Sequence, residues 1–164
     1  MRAIYDLAKW GPTASNSTPA RFRFLVSPEA RERLAERADA GNRNKIRSAP
    51  CVVILAYDLD FPATMTFLNP SAPDAPTWWP TDEGRRFDGL RNSSLQGAYL
   101  MIAARSLGLD CGPMGGIDRE AVDAAFFAET NIKSNFIIAL GHGSTERLNP
   151  RGPRFDFDQV CEIL

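Results

Sequence analysis

Two uninterrupted apolar runs, Cys-Val-Val-Ile-Leu-Ala-Tyr at 51–57 and Phe-Ile-Ile-Ala-Leu at 136–140, constrain this chain more than any other feature. A strand with one wet face alternates polar and apolar residues, so runs without a polar break describe strands buried on both faces. Pro50 marks the start of the first run. Residues 22–26 are also rich in strand formers. Helical signals lie between these strands. Ser27, Pro28 and Glu29 supply an N-cap, a proline at the first helical position and an early acid, which predicts a helix over about 28–39. Asp118 caps a helix over about 119–128, with Ile117 and Val122 placed as a hydrophobic staple across the cap. Residues 2–10 carry Ile4, Leu7, Ala8 and Trp10 at helical spacing with no capping residue in front, as in the last turns of a longer helix. Strands and helices alternate without repeats, so the class is mixed α and β.

The segment 94–107 is apolar around most of a helix, which predicts burial on nearly every side. Gly97, Ala98, Ala103 and Ala104 let another backbone come close, at a homodimer interface or inside one domain, and Gly108 ends the helix. Residues 58–90 hold five prolines together with Trp78 and Trp79. They read as one long loop, either a lid over a ligand or partner chain or a wrapped surface segment.

Charge and composition exclude several roles. A chain of 164 residues fits one domain over 1–164, and 19 basic against 20 acidic residues leave no long-range field for nucleic acid or an anionic membrane. Without a secretory leader or an apolar run of ~20 residues, a cytoplasmic protein is expected, with neither membrane nor nucleic acid as partner. Cys51, Cys111 and Cys161 are few, odd in number and flanked by apolar residues, as expected of reduced structural thiols. His142 is the sole histidine. A histidine-based zinc site is therefore not expected, and His142 reads as a strand-end residue near a ligand.

Two stretches can hold a ligand. Thr13, Ala14, Ser15, Asn16 and Ser17 follow the stop signal Gly11-Pro12 and offer short donors and acceptors to a polar ring. In Pro113-Met114-Gly115-Gly116 the paired glycines leave backbone bare directly before a helix start, which suits a flat or anionic ligand, although an ordinary glycine turn has the same sequence. Asn42 and Lys45 add an amide and a cation ahead of the first buried strand. Arg147, Arg151 and Arg154 cluster near the C-terminus, where a pair of guanidinium groups could clamp a phosphate.

Taken in order, Lys9-Trp10-Gly11-Pro12-Thr13-Ala14-Ser15-Asn16, Asn42 with Lys45, Arg91-Asn92-Ser93-Ser94-Leu95-Gln96, the 112–118 stretch and Lys133-Ser134-Asn135 resemble the nitroreductase family of flavin enzymes. Within it they are most similar to the branch that reduces malonic semialdehyde in pyrimidine breakdown. The resemblance implies an α+β sandwich, with a mixed and mostly antiparallel sheet flanked by helices. It also implies a homodimer with one FMN in each of two sites built from both chains. By the same resemblance Thr13, Ala14, Ser15 and Asn16 touch the isoalloxazine bound to the partner subunit, and Asn42 meets its pyrimidine edge. Lys45 is a cation near the ribityl phosphate or nicotinamide path. Pro113 and Met114 lead into the Gly115 and Gly116 backbone donors at flavin N5, and Arg151 with Arg154 forms the phosphate clamp.

No side chain is expected to be a catalytic acid, because the flavin carries the hydride. Members of the family have a further Arg-rich N-terminal segment ahead of the position matching Met1, so a molecule starting here is expected to hold FMN more weakly. The activity implied is NAD(P)H-dependent reduction of malonic semialdehyde or a similar small carbonyl acid. The alternatives are a broad nitroaromatic or quinone reductase and a dimeric protein that no longer binds flavin.

Overall fold

The computed structural model describes residues 1–146 and 148–164. In chain order the elements are α1 (Arg2–Ala8), β1 (Ala20–Leu25), α2 (Pro28–Ala35), α3 (Ala40–Ser48), β2 (Cys51–Asp58), α4 (Met65–Leu68), α5 (Asp82–Ser106), β3 (Asp110–Met114), α6 (Arg119–Phe126), β4 (Ile132–Gly141) and α7 (Phe157–Val160). The four strands form one sheet in the order β1-β2-β4-β3, and every pairing is antiparallel. Among the described residues no parallel pair occurs, and the sheet flanked by helices is the mostly antiparallel one that the resemblance implies.

The two apolar runs are the central strands, and they are covered on both sides. Val52, Ile54 and Ala56 of β2 face a core with Leu34, Ala35, Ile46, Val122 and Ile137. Val53 and Ile138 point the other way, onto Ile4, Ala8, Leu100, Ala103 and Ala104 of α1 and α5. This is the period of two that a strand imposes, filled with apolar side chains at both phases because each face carries a helical layer. Gly97 brings α5 down onto the sheet: a Cβ there would lie 2.5 Å from Leu55 Cδ2 and 3.0 Å from Phe136.

Local end signals act as the sequence implies. Ser27 accepts from the Ala30 N–H, Asp118 accepts from the Ala121 N–H, and Ile117 and Val122 join one core. After α5, Gly108 adopts φ +82° and the Leu109 N–H returns to the Ala104 carbonyl, a glycine-terminated helix end.

Three elements differ from expectation. The helix expected over 28–39 stops at Ala35, because the backbone beyond it pairs elsewhere: Arg37 O accepts from Asp118 N, Ala38 bridges Ile117, and Asp39 N donates to Gly116 O. The 58–90 segment is not one loop. Short helical turns at Phe61–Thr64, Met65–Leu68 and Ala75–Thr77 enclose a small core of Phe61, Met65, Ala75 and Trp79, and α5 starts at Asp82 behind a Thr81 cap. The third difference is one-sided burial of α5. Gly97, Leu100, Ala103 and Ala104 are buried, whereas Leu95, Tyr99 and Ile102 stay exposed, Ile102 at 63%.

All three cysteines are free. Burial pushes the thiols of Cys51 and Cys111 above the ordinary range, while Cys161 is exposed on the tail. A higher pKa leaves less thiolate at a given pH, and thiolate is the reactive form. A chromogenic disulfide at pH 8 is therefore expected to titrate Cys161 promptly and the other two more slowly. Three fast thiols in the native protein would contradict this arrangement.

Candidate functional site

The break between α2 and α3 is where a site assembles. Gly116 O accepts from Asp39 N at 3.1 Å and from Asn42 Nδ2 at 3.1 Å, so the start of α3 is laced to the loop that follows β3. Gly116 has to be glycine, since a Cβ would stand 2.3 Å from Asp39 Oδ2 and 2.7 Å from Asn42 Nδ2. Gly115 differs: a Cβ there would meet nothing within 4 Å. Among the described residues no turn, loop or cap hydrogen bond uses the N–H of either glycine. The result is a strip of bare backbone donors beside the Asn42 amide, with open space above Gly115.

Pro113 lies exposed on β3, whereas Met114 is 8% exposed and packs into the core beneath the sheet. Lys45, on the exposed side of α3, lines a cavity of about 360 Å³ whose other walls are Asp110, Cys111 and Gly112 of β3 and His142 to Ser144 beyond β4. The Gly143 N–H donates to Asp110 Oδ2 at 2.7 Å, which fixes the backbone next to His142. Cys111 donates to the Met101 carbonyl at 3.6 Å, and burial pushes its thiol above the ordinary range, which lowers the share of reactive thiolate.

The polar turn at 13–18 is built differently, by strain and ties. Ser15, Asn16 and Thr18 all have positive φ (52°, 58° and 33°), a costly conformation for residues with a side chain. Side-chain bonds hold it, Ala14 N to Asn92 Oδ1 at 2.7 Å, Asn16 Nδ2 to Leu68 O at 2.8 Å, Thr18 N to Thr13 Oγ1 at 3.1 Å and Arg21 Nη1 to Thr18 O at 3.4 Å, together with backbone bonds from Asn16 N to Thr13 O and Ser17 N to Ala14 O. Ser15 and Asn16 remain exposed, and Ser17 is fully buried with no partner for its hydroxyl among the described residues.

The protomer thus brings Asn42 together with Gly116 and sets Lys45 one turn further along α3. No hydrogen bond among the described residues links this cluster to Thr13, Ala14, Ser15 or Asn16. Arg151 and Arg154 are exposed on the tail, where Arg154 bonds only to the carbonyls of Gly152 and Pro153. Arg147 lies outside the described residues. Asp39 and Asn92 are the site-building residues that the sequence reading left out. A buried Asn in the middle of a long helix was the available signal for Asn92. Among the described residues no acidic, histidine or cysteine cluster is arranged to hold a metal, and no helix is long and apolar enough to cross a membrane.

Comparison with known proteins agrees with this arrangement. The nitroreductase family model matches residues 1–142. A protein of Caulobacter vibrioides, provisionally named NADH dehydrogenase/NAD(P)H nitroreductase, is 57% identical over 164 residues, covering 100% of this chain and 84% of its own. One of Stenotrophomonas maltophilia with the same provisional name is 51% identical, covering 99% of this chain and 83% of its own. Among solved structures, a provisionally assigned nitroreductase of Bacillus subtilis superposes with TM-score 0.90 at 20% identity, over 99% of this chain and 86% of that one. Another from Exiguobacterium sibiricum, crystallised in complex with FMN, superposes with TM-score 0.86 at 20% identity, over 100% of this chain and 85% of that one. With the family model spanning most of its length and relatives above half identity, this chain belongs to the nitroreductase family.

Proposed function

We propose that this protein is an FMN-dependent NAD(P)H oxidoreductase that reduces a small carbonyl acid such as malonic semialdehyde. The observation that carries the flavin reading is the strip at Gly115 and Gly116, whose unused N–H groups lie beside the Asn42 amide. These residues fit a flat heteroaromatic ring: glycine removes the side chain that would cover the backbone, and the amide meets a polar edge. FMN, when bound, supplies hydride exchange between nicotinamide and acceptor.

The chain's own part is to hold and orient. Gly115 and Gly116 offer donors where negative charge develops on reduction. Asn42, fixed by its bond to Gly116 O, orients the ring edge. Lys45 brings a cation to the adjoining cavity, and Arg151 with Arg154 clamps the phosphate. Thr13, Ala14, Ser15 and Asn16 form the opposing wall for a flavin held by the partner subunit. That places two copies of the chain in the working molecule. The exposed apolar side chains of the α1 and α5 layer, Trp10 at 79%, Leu7, Leu95 and Ile102, support such a homodimer. Hydride transfer to an aldehyde or nitro acceptor needs no protein nucleophile, in keeping with a half-buried Cys111 whose thiol burial pushes above its ordinary range.

A broad nitroaromatic or quinone reductase is the second reading, favoured by the names of the relatives above half identity. One experiment separates them. The purified protein, soaked with FMN and desalted, is expected to keep a flavin band at about 450 nm. It is then expected to oxidise NADH or NADPH faster with malonic semialdehyde than with nitrofurazone or menadione. The reverse order of acceptors selects the second reading, and a protein that stays colourless overturns both.

A further inference from the structure

We infer that Asn92 is a positioning residue: it sets the 13–18 turn in the shape that a flavin ring meets, and it ties that turn to the Trp79 segment. The inference rests on the flavin reading above and adds to it a residue that touches no ligand. Asn92 sits within α5 at 1% exposure, on the side facing the turn. Its Oδ1 accepts from the Ala14 N–H at 2.7 Å, and its Nδ2 donates to the Asp88 carbonyl at 2.9 Å. The second bond fixes which way the amide faces, so that oxygen and not nitrogen meets Ala14.

The turn needs such a tie. With left-handed φ at Ser15, Asn16 and Thr18, its backbone is held in place only if its surroundings over-determine it. Of its other side-chain ties, Thr18 to Thr13 lies within the turn, Asn16 to Leu68 O is exposed, and Arg21 reaches Thr18 O from the adjoining strand at 3.4 Å. Among the described residues only the Asn92 bond joins the turn to a buried group of the main helical layer. It also immediately precedes Ser15 and Asn16, the exposed pair that would face a ring.

The same helix turn reaches the Trp79 segment. Asp88, whose carbonyl Asn92 grips, accepts from Trp79 Nε1 at 2.5 Å and also pairs with Arg91. Asn16 meanwhile holds Leu68 O, at the other end of that segment. Turn and segment are therefore joined twice, through Asn92 and Asp88 on one side and through Asn16 and Leu68 on the other. A shift of the Trp79 segment is transmitted to Ala14, and a ligand that orders the turn also orders the segment.

The test compares Asn92→Ala with Ser93→Ala. Ser93 is equally buried on the same helix, but its hydroxyl accepts from Asn135 and does not reach the turn. Asn92→Ala is expected to weaken FMN binding about tenfold, as loss of a hydrogen bond to a buried N–H implies. It is also expected to speed hydrogen exchange at Ala14 selectively and to change Trp79 emission. Ser93→Ala is expected to leave FMN affinity within about twofold of the parent, since it breaks a contact of similar strength elsewhere. Equal loss of FMN affinity in both variants, or unchanged Ala14 exchange in Asn92→Ala, overturns the inference. Should the parent protein bind no FMN, the functional reading falls by itself, and Ala14 exchange with Trp79 emission still decides the role of Asn92.

Discussion

Gly116→Ala is expected to weaken FMN retention about 10- to 100-fold, the equivalent of the 1–3 kcal/mol that an overpacked methyl costs. The new Cβ would fall 2.3 Å from Asp39 Oδ2 and 2.7 Å from Asn42 Nδ2, far inside contact distance. The loop has to move off α3, and both bonds to Gly116 O, from Asp39 N and Asn42 Nδ2, lengthen with it. Gly115→Ala is the informative partner, because its Cβ meets nothing within 4 Å and the fold should not register it. If Gly115→Ala keeps the parent's melting temperature yet loses flavin, the open space above Gly115 is where the ring lies. Parental FMN affinity in Gly116→Ala, measured by flavin fluorescence titration, would remove the Asn42 and Gly116 lacing from the site.

Phe61→Ala should have the second large effect, and a local one. Phe61 is fully buried and stands edge-on to Trp79, with ring centroids 4.9 Å apart and planes at 73°. Truncating a buried phenylalanine costs about 3–5 kcal/mol. The core it belongs to has only Met65, Ala75 and Trp79 as its other buried members, with Ala72 packed against them. A cluster that small has little reserve, so the turns between Phe61 and Thr77 are expected to open while the sheet persists. Trp79 emission should shift to the red at a temperature where far-ultraviolet circular dichroism is unchanged. Simultaneous loss of both signals would show instead that this segment and the sheet unfold as one unit.

What could be read in the sequence follows from how local each signal is. The strands at 51–57 and 136–140, the caps at Ser27 and Asp118 and the stop at Gly108 depend on residues a few positions apart, and the structure has them all. The start of α5 was not legible, because residues 82–93 carry six charged side chains and two glycines that mask a helical period. Its covering comes from Tyr57 against Gly89 and from the turn on Asn92, contacts made across dozens of positions. The small core around Phe61 was hidden in the same way: Pro62 and Pro76, which read as loop punctuation, sit in the opening positions of short helical turns begun by Phe61 and Ala75. In the site, Asn42 and Gly116 were each legible as a residue type, but their contact depends on the chain leaving α2 at Ala35 to pair with 115–118. Asp39 has meaning only through such long-range bonds, and Asn92, although inside the 91–96 stretch quoted for the resemblance, gains its role only when the turn folds onto it.

The two outer strands also decide how copies of this protein can meet. β1 sits at one margin of the sheet with Arg21 and Arg23 along it, and Arg21 is anchored to Asp58 at 2.8 Å. β3 sits at the other margin, five residues long, with Pro113 lacking an amide hydrogen to offer a neighbour. Cationic side chains and a proline are what natural sheets use to refuse an added strand. Pro113 therefore makes β3 the poorer template for an added strand, whereas β1, six residues without a proline, keeps its outer backbone groups able to pair.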